Sequence, residues 1–348
     1  MPAIRQARLL AVLLLPCFVP TGIGAAAGPD ASTAKMQSSS PDSSSRVVVD
    51  EMGRIVTVPK DLRRIVSLAP SVTEMIYALN LDDRLAGDTD YCDVPPAAKL
   101  KPHVGSFLNP SLESIIALHP DVVIAVAYSG NREETADALQ KLGVAVYVIN
   151  PQTVPRILDS MSGIAKLAGD DKRGAEVVSA LKSRLDVLQK RLADLPLVHV
   201  LFVVQLEPLI TAGQHTFIAD ALRWAGAESI VVSKVDWPKL SMEEVVRLQP
   251  DYIVVAPGPM TDSVSTVTDL RKRVVWRDLL AVQAGHVAIV SEEIDRPAPG
   301  LIDAIEQLAH EIHPTAFSMN AGEDQYPRLR LGSLSEKCNS ARWQACAH

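Results

Sequence analysis

Apolar residues along this chain fall into two recurring arrangements. Short continuous runs are rich in β-branched residues: "VVIAVA" at 122–127, "VAVYVI" at 144–149, "LVHVLFVV" at 197–204, "SIVV" at 229–232, "DYIVVA" at 251–256 and "HVAIV" at 286–290. That is the pattern of parallel strands buried on both faces. Between them lie stretches with apolar residues three and four apart, the helical period. Ile65, Val66 and Leu68 form a further strand ending at Pro70, and Ser71 with Glu74 spells a capping box for a helix bearing Met75, Ile76 and Leu79. A helix at about 131–142 precedes the strand at 144, and "TFIADALRWAG" is a helix closed by Gly226. Strands alternating with helices predict an α/β fold with parallel sheets.

The alternation is written twice. "SLESIIALHPDVVIA" at 111–125 and "SMEEVVRLQPDYIVV" at 241–255 share Ser, Glu, Leu, Pro and Asp in the same slots. Each opens on a Ser N-cap, carries one apolar helical stripe, stops at Pro-Asp and continues as a strand; Ser241 with Glu244 spells a fuller capping box than the first copy has. Because the flanking strands and helices recur in the same order, the repeat covers a whole lobe. Two similar lobes are expected, at about 62–168 and 197–316, within a folded body spanning 62–316. Between them Val177, Leu181, Leu185, Leu188 and Leu192 form one helical stripe. This predicts a single connecting helix at about 170–195, roughly 36 Å long at 1.5 Å per residue. A cleft between the lobes, where the loops at the strand ends meet, is then the expected place for a ligand.

The ends of the chain add a destination. Arg5 and Arg8 precede "LLAVLLLPCFVP" and a small-residue stretch reaching Ala25-Ala26-Ala27, the layout of an export signal over 1–27. Processing near Ala27 or acylation at Cys17 are both open. Residues 28–45 are Ser-rich and polar without apolar period and read as a linker. Residues 318–348 form a polar tail, in which Cys338 and Cys346 are able to pair in an oxidising compartment. Cys92 stands alone in the body, as a buried or free thiol. A net charge of −7 excludes a general nucleic-acid binder, which needs a basic face.

Candidate chemistry is sparse in catalytic groups. There is no G-x-S-x-G, P-loop or G-x-G-x-x-G, so an exported two-lobe enzyme acting on a small molecule has no recognisable centre. No catalytic residue and no metal set is expected. Among eight His residues only His310 and His313 are closely spaced, on a predicted C-terminal helix where solvent exposure is expected. His103, near Phe107, is within reach of a cleft ligand or metal, and His199 reads as structural. The chain has only fifteen aromatics, yet Phe107 and Trp237 each stand four residues ahead of the repeated Ser, in equivalent loops. Tyr91 belongs to the loop before the first of these. Packing beneath loops and facing a ligand are both consistent with that placement. Glu113 and Glu243 share the first turn of the repeated helix, where the helix dipole alone accounts for a carboxylate. A matched pair of acids presented to a cationic partner is the other reading.

The stretches "RIVSLAPSVTEMIYALNLDDRLAGDTDYCDVPP", "VGSFLNPSLESIIALHPDVVIA", "DWPKLSMEEVVRLQPDYIVV" and "EIDRPAPGLIDAIEQLAHEIHP" together resemble the periplasmic substrate-binding proteins of ABC importers. The likeness is to the class with a rigid connecting helix, which carries cobalamin, haem and ferric siderophores, and within it to the cobalamin binders. The resemblance implies a monomeric, non-enzymatic receptor in the periplasm with no catalytic cofactor. Cobalamin or another corrinoid would be the transported ligand and a membrane ABC permease the partner; a ferric-siderophore or haem receptor is the alternative. It places Tyr91, Phe107 and Trp237 against the ligand, with Asp295 and Arg296 of "DRPAPG" as further contacts, and makes Glu113 and Glu243 the points of permease docking. Phe107 departs from the Trp that cobalamin binders often carry there.

Overall fold

Two four-stranded, all-parallel sheets with the same strand order organise the computed structural model, which describes residues 44–127, 132–261 and 264–317. A hairpin comes first, β1 (Ser45–Val49) and β2 (Ile55–Pro59). The N-lobe follows as β3 (Ile65–Ser67), α1 (Pro70–Ala78), β4 (Leu85–Gly87), α2 (Leu112–Ala117), β5 (Val122–Val126), α3 (Arg132–Lys141), β6 (Val146–Ile149) and α4 (Val154–Ala168). The connecting helix is α5 (Asp171–Leu192). The C-lobe then has β7 (Val198–Val203), α6 (Phe217–Trp224), β8 (Ala227–Ser229), α7 (Met242–Leu248), β9 (Tyr252–Val255), α8 (Val267–Arg271), α9 (Leu280–Ala284), β10 (Val287–Ile289), α10 (Leu301–Ile312) and α11 (Pro314–Phe317). The orders are β4-β3-β5-β6 and β8-β7-β9-β10, so in both lobes the second strand flanks the first and the third and fourth extend the other side. The repeat seen in the sequence is a repeat of topology.

α5 has 22 residues, about 33 Å of helix. Asp170 caps its first turn by accepting from Arg173 N, and Val178, Leu181, Leu185, Leu188 and Leu192 are its buried face. Val177 from the predicted stripe is only half-buried; Val178 takes its place, while the four leucines fall as expected. Arg184 clamps α5 to α10, with Nε 3.0 Å from Glu306 Oε1, Nη2 2.6 Å from Glu306 Oε2, and Nη2 donating also to Asp303. Gly174 lets α4 lie close: a Cβ there would stand 2.4 Å from the Ala165 methyl.

One hydrophobic cluster crosses both lobes. It joins Val72 and Ile76 of α1, Ile124 and Ile149 of the N-lobe sheet, Met161 of α4, Leu181 and Leu188 of α5, Phe202 of β7, Leu222 of α6 and Ile305 and Leu308 of α10. Each sheet covers its outer face with a smaller cluster of its own: Val66, Leu68, Ile115 and Val123 in the N-lobe, and Leu201, Val245, Ile253 and Trp276 in the C-lobe. The strands are therefore buried on both faces, as their unbroken apolar runs require.

Several local expectations are corrected. α1 is capped at Ala69 with Pro70 in its first turn, and Ser71 and Glu74 form no capping box; both are buried inside the helix instead. A proline fixes the helix start two positions earlier than the Ser would, since its missing N–H is not needed there. At α7 only half of the box forms: Ser241 accepts from Glu244 N, while the Glu244 side chain lies 3.8 Å from Arg247. The strand expected at "SIVV" begins earlier, at Ala227, directly after Gly226 turns the chain at φ 79°; Val232 is exposed. His313 is buried, with Nε2 3.0 Å from the Gly226 carbonyl, whereas exposure was expected. The hairpin and α4 are absent from the predicted elements. The hairpin lies ahead of residue 62 and is pinned by the buried Asp50 carboxylate, which accepts from Met52 N, Arg54 N and Val148 N of β6.

Candidate functional site

In both sheets the strands point their carboxyl ends toward the loops that carry the candidate residues, the usual ligand side of an open parallel sheet. The segment after β4 runs alongside residues 102–105, with Val104 N donating to Asp88 O and Asp90 N to Gly105 O. This pairing brings Tyr91 against Phe107, ring centroids 5.6 Å apart at 83°, an edge-to-face contact. Tyr91 is nonetheless exposed and Phe107 half-buried. Large rings that meet each other yet keep open faces offer an apolar surface.

Trp237 lies elsewhere, in a loop laid along residues 210–213. Gly213 N donates to Asp236 O and Thr211 N to Pro238 O. Only glycine tolerates the approach, because a Cβ at residue 213 would stand 2.0 Å from the Val235 carbonyl oxygen. Trp237 remains 44% exposed and borders a depression of about 40 Å³ with Asp236, His215, Thr216 and Phe217 of the C-lobe and Pro151 and Gln152 of the N-lobe. The walls of this depression thus come from both lobes.

Arg296 is half-buried and spans the lobes: its Nε is 3.0 Å from Glu74 Oε1 on α1, and its Nη1 3.8 Å from Asp93. The angle at Glu74 is poor for a hydrogen bond, so the pair is held by charge and burial. Burial pushes the Glu74 carboxyl up to about 7, against the pull of Arg296, while Glu293 and Asp93 raise it further. Glu74, read in the sequence as a cap, and Asp93 are charged neighbours of Arg296 that spacing did not reveal. The available signal was a carboxylate amid the apolar residues of "SVTEMI". Asp295 beside them is solvent-exposed. A second link joins the lobes where Val154 N, at the start of α4, donates to Asp220 Oδ2 of α6 at 2.7 Å.

Glu113 and Glu243 stand exposed in the first turns of α2 and α7, behind Ser111 and Ser241, which accept from Ser114 N and Glu244 N at 3.1 and 3.2 Å. Neither acid has an ion pair among the described residues. His103 donates or accepts through Nδ1 at 2.8 Å from the buried Asp88, whose carboxyl burial lifts to about 6 against the His103 interaction. Cys92 is a buried free thiol beside the Thr73 and Thr89 hydroxyls, and desolvation pushes it up. Among the described residues no group of three His, Cys, Asp or Glu is placed to hold a metal, and no helix is long and apolar enough to cross a membrane. Cys17, Ala27, Cys338 and Cys346 lie outside the described residues.

Comparison with known proteins decides the class. The periplasmic binding protein family matches residues 65–293, both sheets and the helix between them. An ABC transporter substrate-binding lipoprotein of Bacillus subtilis strain 168, YvrC, is 30% identical over 322 residues, covering 90% of this chain and 99% of its own. The chain belongs to the periplasmic binding protein family. Among solved structures, this binding protein is similar to the periplasmic vitamin B12 binding protein BtuF of Vibrio cholerae, at 26% identity and a TM-score of 0.64, covering 74% of this chain and 99% of that one. The periplasmic heme-binding protein RhuT of Roseiflexus sp. RS-1 shares the fold at 23% identity and a TM-score of 0.64, over 73% and 99% of the two chains. The binding protein is thus a substrate-binding component of an ABC importer, which implies a small-molecule ligand and a membrane permease as partner. Its family and its lipoprotein relative place it outside the cytoplasm.

Proposed function

We propose that the binding protein captures cobalamin or another corrinoid between its lobes and delivers it to an ABC permease through Glu113 and Glu243. The observation that carries the ligand reading is the exposed edge-to-face pair of Tyr91 and Phe107 on one lobe, with the exposed Trp237 on the other. A corrin is a broad, largely apolar ring with amide fringes, and exposed aromatic faces in a chain with few aromatics suit its faces and edges. The likeness to a vitamin B12 binding protein supports the same reading. A siderophore needs cationic or phenolic groups turned to its oxygens; the Arg296 guanidinium is engaged by Glu74 and Asp93, which leaves Tyr91 as the exposed phenol on which that alternative rests. Asp295 and Arg296 then serve as polar contacts at the margin of the ligand. Export by the signal at 1–27, with processing near Ala27 or an acyl anchor at Cys17, accords with the lipoprotein relative.

The test is to purify the protein after incubation with cell extract, record its absorption spectrum, and titrate the ligand-free form with cyanocobalamin by calorimetry. A corrin spectrum with saturable heat supports the reading. A flat titration, or a haem Soret band, overturns it in favour of another ligand of the class. For docking, the Glu113→Ala, Glu243→Ala double variant is expected to lose uptake while keeping cyanocobalamin affinity; loss of affinity instead would sink the assignment.

A further inference from the structure

The two exposed acids sit on faces of equal charge and unequal shape. Beside Glu243 the C-lobe has an open groove of about 470 Å³. Leu206, Leu209 and Trp276 are buried in its floor, and Leu240, Met242 and Val274 line its walls. Met242 is the residue directly before Glu243 in the first turn of α7, so groove and carboxylate share one end of one helix. In the N-lobe a depression bordered by Phe107 and Pro110, just ahead of α2, holds only about 10 Å³.

The groove wall is built at a cost. Val275 has φ 72° and ψ −47°, a conformation that a β-branched residue adopts only under constraint. Such a residue persists only where its surroundings over-determine it. Here Arg277 N donates to Arg273 O, Asp278 N to Val275 O, and Trp276 is anchored in the C-lobe cluster. The result of the turn is to hold Val274 outward, 71% exposed, at the lip of the groove. An apolar residue presented to water by a strained turn, beside an acid without an ion pair, is a surface awaiting a partner. Glu207 at the same lip lies 3.6 Å from Arg273, so these two lining charges offset each other.

We propose that this groove is a socket for an apolar side chain on an extracytoplasmic loop of the ABC permease, a loop that also carries the basic residue meeting Glu243. The proposal rests on the reading of Glu243 as a docking point and adds what that reading lacks. Equal acids alone would give the two lobes the same contact. A socket on one lobe adds an apolar contact at that end only, so the two ends of the interface differ.

The experiment measures binding of the mature protein to its cognate importer in lipid nanodiscs by biolayer interferometry. The variants are Val274→Asp, Val274→Leu, Glu113→Ala and Glu243→Ala, with melting temperatures as the folding control. A charge set into a desolvated contact is expected to weaken importer binding roughly tenfold to a hundredfold, while Val274→Leu binds as the parent does. If Val274→Asp binds like the parent, the socket is overturned whatever the glutamate variants do. If Val274→Asp weakens binding and both glutamate variants bind normally, the socket stands and the acid-docking reading falls. Should Val274→Asp fail to fold, Met242→Gln on the opposite wall is expected to give the same loss, and unchanged binding by it would overturn the proposal.

Discussion

Replacing Arg296 by Met should destabilise the protein in a manner set by pH. Glu74 is buried at 1% exposure, and its carboxyl is raised from an ordinary 4.5 to about 7. A carboxyl raised that far binds its proton more tightly folded than unfolded, so stability declines as pH rises through the window from 4.5 to 7. By linkage this withholds roughly 3 kcal/mol above the window even with Arg296 in place. Removing the guanidinium takes away the nearest countercharge, and because a carboxyl with a pKa of about 7 then escapes by binding a proton, the added loss at pH 8 reaches at most about 1.4 kcal/mol, one pH unit's worth. At pH 5 Glu74 is mostly protonated and the same substitution should cost less than about 1 kcal/mol. Urea unfolding of both proteins at pH 5 and pH 8 measures the difference. An equal loss at the two pH values, or none at pH 8, would refute the ionic link between the lobes.

Three further outcomes follow from close approaches and exposed rings. Gly213→Ala should displace the Trp237 loop, since its methyl would overlap the Val235 carbonyl, and cyanocobalamin affinity should fall in calorimetry more than stability does. Gly174→Val should separate α4 from α5 and lower stability by about 1–3 kcal/mol in urea, with parent-like stability counting against the packing described. Trp237→Ala should remove a major apolar contact and weaken cyanocobalamin binding roughly tenfold or more, whereas full affinity would place the ligand elsewhere.

The duplicated lobes were legible because their strands are buried on both faces, and continuous apolar runs such as Val122–Val126 and Val198–Val203 have few other uses. The connecting helix was legible through its four-residue leucine spacing. The hairpin was not, since Val47, Val49 and Ile55 turn apolar side chains to solvent and blur the alternation of a half-buried strand. α4 carried its signals openly, with Thr153 as N-cap, a proline in the first turn and Gly169 at φ 75° past its end, and was missed although the connecting helix after it was placed from about 170. At the site, position in the repeat was sufficient to pair Glu113 with Glu243 and Phe107 with Trp237. Spacing within one helix proposed a cap for Glu74, and the partner that actually meets it stands 222 positions away, at a separation where local pattern has no reach.

The cluster shared by the lobes has a bearing on how the chain reaches its native state. α1 and α4 cover the inner face of β3 to β6, but α10, which packs on β10, α6 and α5, ends at Ile312, a few residues before the described part of the chain stops. The C-lobe interior therefore stays unfinished until nearly the whole body has been made. Because one cluster joins the lobes, heating should melt both together in one cooperative transition. A chain cut short before α10 should leave β10 and α6 without their cover and behave as a loose intermediate with an open apolar face.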